Sequence, residues 1–175
     1  MYLVSEACNL IQANIPHEQI LRPEVLYRRL IDISDVEISD LARADLLILD
    51  SQAPDPYESF VGDAVQFVIE VKRGGVSDNL INQDLKRLYY FKTKCRQEAR
   101  AFLIVAAESS LPERFVDPDK GESKLHAHPI PDTTGVYHVR RTVKAASNFK
   151  KIESAHYVSI VEVFSEPPAK VLPKF

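Results

Sequence analysis

A chain of 175 residues, 45% hydrophobic and 27% charged, is long enough to bury one sizeable core and short for two. No run approaches the roughly 20 apolar residues of a membrane span, and no basic segment leads into an apolar run at the N-terminus, so a soluble, intracellular, cytoplasmic protein without a membrane partner is expected. A net charge of -3 argues against a nucleic-acid binder that is basic all over, but leaves room for a local basic surface: acids crowd into residues 32 to 63, whereas Arg140, Arg141, Lys144, Lys150 and Lys151 lie in a stretch with no acid between them.

Residues 3 to 13 place Leu3, Ala7, Leu10 and Ile11 at helical spacing, and Pro16 closes the segment, which predicts an amphipathic first helix with Glu6 on its polar side. Between residues 18 and 31, Pro23 followed by Glu24 suits a helix start, while ILRPEVLY suits an edge strand that tolerates proline; the strand is preferred. DLLILD at 45 to 50 reads as a buried strand, SQAPDPYESFVGDA as an exposed connection, and AVQFVIEVK at 64 to 72 as a second buried strand ending at the turn signal Gly74-Gly75.

Ser77 or Asp78 can cap a helix running to about Cys95, with Leu80, Ile81, Leu85, Leu88 and Phe91 as its apolar stripe. AFLIVAAE at 101 to 108 predicts a third buried strand, and such continuous apolar runs point to a sheet covered on both faces. Beyond a stretch containing Pro112, Pro118, Pro129 and Pro131, GVYHVRRTV and HYVSIVEVF predict two further strands. The expected organisation is one α/β domain over residues 1 to 165 and a C-terminal tail over 166 to 175. Cys8 and Cys95 are far apart and in no metal-ligand spacing, so both are read as reduced thiols.

The chemistry is carried by three residues. Side chains at i and i+2 of a strand share a face, so Glu70 and Lys72 project together while Val71 points the other way. Two opposite charges on one side of an apolar strand are costly to bury without a use or a partner. Asp45 begins the preceding strand, and if the two strands pair near those ends its carboxylate converges on Glu70. Two such oxygen ligands suit Mg2+ (or Mn2+), which takes one or two carboxylates together with waters and substrate phosphate. Lys72 then has two open jobs: positioning the attacking water, or facing the phosphate as negative charge builds on its oxygens.

ARADLLILD, then VQFVIEVKR, then a helix, then RAFLIVAAE closely resembles the core of the PD-(D/E)xK nuclease superfamily, over roughly residues 1 to 108. The resemblance implies a restriction endonuclease-like fold: a helix-strand-strand-strand-helix-strand core, with a mixed sheet flanked by helices, here carrying extra C-terminal strands. It matches Asp45 to the first acid, Glu70 to the second and Lys72 to the lysine, has Val71 lend its backbone carbonyl to the metal, and matches Glu6 to an acid on the first helix that helps hold a metal. Asp45 follows Ala44 where the family's pattern has proline. Some branches carry Gln-x-x-x-Tyr on the helix after the second acid, whereas four residues after Gln83 this chain has Arg87. Gln83 and Tyr90 nevertheless share a helical face, with Lys86 and Arg87 beside it, and the four are candidate contacts to a phosphate backbone.

These readings lead to a magnesium-dependent nuclease hydrolysing phosphodiester bonds, with DNA ahead of RNA as substrate. A homodimer or larger assembly stays open, since many nucleases of this fold pair to cut both strands. The rival is a nuclease-fold protein that binds nucleic acid or serves as a scaffold and cuts nothing. His126 and His128, two apart in LHAHPIPD, are read as loop residues, not as metal ligands.

Overall fold

The computed structural model describes residues 2–108, 110–145 and 155–168. In chain order they form α1 (Tyr2–Gln12), β1 (Gln19–Leu26), a 3-10 turn (Tyr27–Arg29), β2 (Arg43–Asp50), a second 3-10 turn (Gly62–Ala64), β3 (Val65–Arg73), α2 (Asp78–Lys94), β4 (Arg100–Ala107), β5 (Ala127–Pro129), β6 (Val136–Lys144) and β7 (Tyr157–Phe164). The strands make one sheet in the order β1-β2-β3-β4-β7-β6-β5. Among the described residues only β3 and β4 pair in parallel, and α2 is the crossover that this pairing requires. The protein is thus α/β, with a seven-stranded mixed sheet flanked by two helices, and no helix among the described residues is long and apolar enough to cross a membrane.

The apolar runs are explained by the two flanking helices. Successive side chains of a strand point to opposite faces, so a strand covered on both sides must be apolar throughout. On one face Leu46, Ile48, Ile69, Val71 and Phe102 pack with Val4, Ala7, Cys8 and Ile11 of α1. On the other Leu47, Val68, Leu103 and Val161 pack with Ile81, Leu85, Leu88 and Phe91 of α2. β1 is an edge strand, which explains how it accommodates Pro23, a residue with no N–H to donate.

Five expectations are corrected. Leu10 is exposed, and Cys8 and Val4 join Ala7 and Ile11 on the buried side of α1. Leu80 is 45% exposed; its place on the buried face of α2 belongs to Asp84, a carboxylate one helical turn along. LHAHPIPD is not wholly loop, because Ala127–Pro129 pairs with β6 at the far edge of the sheet. Of the basic stretch, Arg140 is not available to a surface, because it turns inward to Glu162, which Arg100 also holds at 2.8 Å; Lys150 and Lys151 lie outside the described residues. Ser77 occupies the N-cap position of α2 without a side-chain capping bond. Of the expected tail, residues 169–175 also lie outside the described residues.

Gly74 and Gly75 end β3 two residues beyond Lys72 for different reasons. A Cβ on Gly74 would overlap the backbone and side chain of Ala107, so glycine is needed for close approach to β4. Gly75 has open space around it, but its φ of +86° is a conformation that L-residues enter at a cost. Gly75→Ala should therefore destabilise by about 1–2 kcal/mol, and Gly74→Ala by more, as read from urea midpoints; equal effects would contradict this division of roles.

Candidate metal centre

β2 and β3 pair as far as Leu46 and Ile69 and then part. Beyond that point Val71 has no ladder partner on the β2 side, and its N–H donates instead to Asp45 Oδ2 at 2.7 Å. The side chain of Asp45 thus takes over where the backbone ladder stops. Because N–H and C=O of one strand residue lie on the same edge, the Val71 carbonyl is directed into the same gap.

Glu70 and Lys72 lie on the α2 side of β3, as alternation requires, with Val71 on the α1 side. Glu70 is 1% exposed, and its Oε1 accepts a 2.6 Å hydrogen bond from the hydroxyl of Tyr27, itself fully buried in the turn after β1. Burial, with repulsion from Asp84 and Asp45, pushes the Glu70 carboxyl well above the usual range, against the pull of Tyr27 and Arg87. Burial and the adjoining Glu70 likewise push the Tyr27 phenol up, so it stays a donor.

Asp84, missed in the sequence reading, is 1% exposed and stands between two cations. Lys72 Nζ lies 2.9 Å from Oδ2, and Arg87 Nη1 lies 3.0 Å from Oδ1. Burial alone would lower the Lys72 pKa. The Asp84 contact, with Asp45 and Glu70 behind it, overcomes that and holds the ammonium above its ordinary value. The signal available in the sequence was the position of Asp84 at i+3 from Ile81 and i−4 from Leu88, inside the apolar stripe.

The other candidates separate. Arg87 joins the cluster through Asp84. Lys86 pairs with Asp132 at 2.6 Å, and Gln83 lines a small cavity of about 270 Å³ with Asn79, Asn82, Lys86, Pro131 and Asp132. Tyr90 is half-buried, with its ring against Tyr89. Glu6 is exposed on α1; the α1 residues lining the cavity beside Asp45 are Val4, Ser5, Cys8 and Asn9. His126 and His128 lie with ring centroids 4.0 Å apart and planes tilted by 40°, at the opposite edge of the sheet.

Among the described residues no three His, Cys, Asp or Glu side chains are gathered to hold an ion by themselves. What the gap offers is hard oxygen: the Asp45 and Glu70 carboxylates and the edge of Val71. That donor set fits a small divalent cation that keeps waters and shares a phosphate, and does not fit a soft metal. Compared with known proteins, the chain matches no family model, no curated protein and no solved structure.

Two outcomes follow from this geometry. Glu70 binds its proton more tightly folded than unfolded, so its contribution to stability is fully present below the unfolded pKa of about 4.3 and is lost as pH rises through the folded value. Glu70→Gln should therefore raise the melting temperature of the metal-free protein at neutral pH, by about 2–4 °C per kcal/mol recovered, with the gain shrinking on acidification; a gain that grows on acidification would refute the assignment. Asp84→Ala leaves Lys72 and Arg87 facing each other without their carboxylate and should cost about 1–3 kcal/mol, measured in urea and partly restored by Asp84→Asn.

Proposed function

We propose that the protein is a divalent-metal-dependent nuclease of the PD-(D/E)xK type, hydrolysing phosphodiester bonds, with DNA as the leading substrate. The observation that carries this reading is that Asp45 accepts from the Val71 N–H just beyond the last β2–β3 pair, next in sequence to Glu70, with Lys72 on the same face of β3 as Glu70. The order of α1, β1 to β3, α2 and β4, with three antiparallel strands and a parallel fourth, supports the same reading because the resemblance implies that core.

Asp45 and Glu70 would hold Mg2+ or Mn2+ together with the Val71 carbonyl. The ion, when bound, supplies Lewis-acid polarisation of the phosphate and a water that ionises near neutral pH. A proton on Glu70 competes with a metal, and its raised pKa carries that competition to higher pH, so metal affinity should rise with pH. Lys72 enters as an ammonium and acts as a charge and hydrogen-bond donor, either toward the phosphate oxygens or toward the attacking water. Asp84 and Arg87 position Lys72, and Tyr27 positions Glu70.

A second reading is favoured by the completeness of the internal pairing: Tyr27 with Glu70, and Lys72 and Arg87 with Asp84, form a compensated cluster that a non-catalytic nucleic-acid-binding or scaffold protein would retain for its fold. Cleavage assays separate the two. With plasmid, linear duplex, single-stranded DNA and RNA, and with Mg2+, Mn2+ or chelator, the nuclease reading expects metal-dependent cutting that Glu70→Ala abolishes. Lys72→Ala should lower the rate by about 10²–10³ with Mn2+ binding retained in calorimetry, and Asp45→Ala should weaken that binding. No cutting on any substrate with either metal would leave the scaffold reading.

A further inference from the structure

Two neighbouring surface cavities are lined by residues of β1 and β2. One, of about 770 Å³, is lined by residues of α1 together with Pro23, Glu24, Arg43 and Asp45. The other, of about 350 Å³, is lined by Pro23, Glu24, Leu26, Arg29, Arg43, Pro56 and Tyr57. Pro23, Glu24 and Arg43 line both, so the two cavities adjoin across these three residues and are treated as one trough, with Asp45 in the lining of the first and Tyr57 in that of the second.

The trough has the chemistry of a path for a nucleic-acid strand. Arg43 is exposed and lines both cavities, and Arg29 adds a second guanidinium whose buried Nε has no hydrogen-bond partner. Tyr57 is 49% exposed, yet its ring is anchored, because its hydroxyl donates to the Pro23 carbonyl at 2.8 Å. An anchored aromatic surface beside cations is how proteins hold unpaired bases and their phosphates. A base inside a duplex already has both faces covered by its neighbours, so this ring can stack only on one that is unpaired.

The edge itself argues against another occupant. Pro23 has no N–H, and Glu24 adopts a φ of +55°, dropping out of the pairing register between Pro23 and Val25. A peptide could not extend the sheet along this interrupted edge.

We propose that the trough carries a single strand of nucleic acid to Asp45, with Arg43 and Arg29 neutralising phosphates and Tyr57 stacking on an unpaired base. This rests on the nuclease reading for its direction, and it deepens that reading by naming single-stranded segments, free or as flaps and overhangs, as the substrate class. Glu24 places a negative charge along the path and tempers the affinity.

Fluorescence anisotropy with a labelled mixed-sequence oligonucleotide, in chelator, tests binding without cleavage. The single strand should bind more tightly than the same sequence as a blunt duplex. Arg43→Ala should weaken single-strand binding and reduce the salt slope by about 0.7, and Tyr57→Ala should weaken it about tenfold, while Tyr57→Phe keeps most of the affinity and Glu24→Gln tightens it. Duplex binding as tight as single-strand binding, or full affinity in both Arg43→Ala and Tyr57→Ala, would overturn the proposal. Cleavage with Mg2+ or Mn2+ distinguishes the two readings: binding that depends on Arg43 and Tyr57 with no cutting sinks the nuclease assignment and upholds the trough, whereas cutting unaffected by either variant sinks the trough and upholds the nuclease.

Discussion

The site depends on the termination of one backbone ladder. If β2 and β3 paired to their ends, the Val71 N–H would be taken up by a carbonyl of β2 and no gap would open beside Glu70. Instead pairing stops at Leu46 and Ile69, and the carboxylate of Asp45 accepts that N–H. A side-chain oxygen thereby replaces a main-chain one, leaving a carboxylate and a strand edge facing the same space. The rest of the cluster compensates for the charge concentrated there.

That compensation is distributed over four elements. The turn after β1 brings Tyr27 to Glu70, β3 carries Glu70 and Lys72, and α2 supplies Asp84 and Arg87, while β2 contributes Asp45. Burial penalises every one of these charges. The shifts follow from this: burial and the neighbouring acids push the Glu70 carboxyl up, toward its neutral form, while Asp84, Asp45 and Glu70 hold the Lys72 ammonium charged. Such an arrangement stores an unfavourable carboxyl that a divalent cation would relieve, which is the physical sense in which a metal-binding site costs stability before its ligand arrives.

Packing explains why the site lies at a sheet end. α1 and α2 cover opposite faces of the central strands and keep their middles dry. The charged groups of the site gather where β2 and β3 run out, near Gly74 and Gly75, whose close approach and left-handed turn send the chain into α2 and bring Asp84 back over Lys72.

Much of this was legible in the residues. Apolar runs in β2, β3 and β4, Pro23 in a strand-like segment, and the i, i+2 spacing of Glu70 and Lys72 are local signals, since strand alternation depends only on the chain itself. By themselves they determined the α/β class, the element order through β4 and the shared face of the Glu-x-Lys pair. Tertiary structure alone decided what depends on distance across the chain: that Tyr27 reaches Glu70, that Asp84 replaces Leu80 on the buried side of α2, that Arg140 turns inward to Glu162, and that Glu6 stays outside the cluster. A helical stripe shows which residues can be buried together, but whether a carboxylate among them is tolerated depends on the cation opposite, and Lys72 is placed there by β3, which ends before the helix begins.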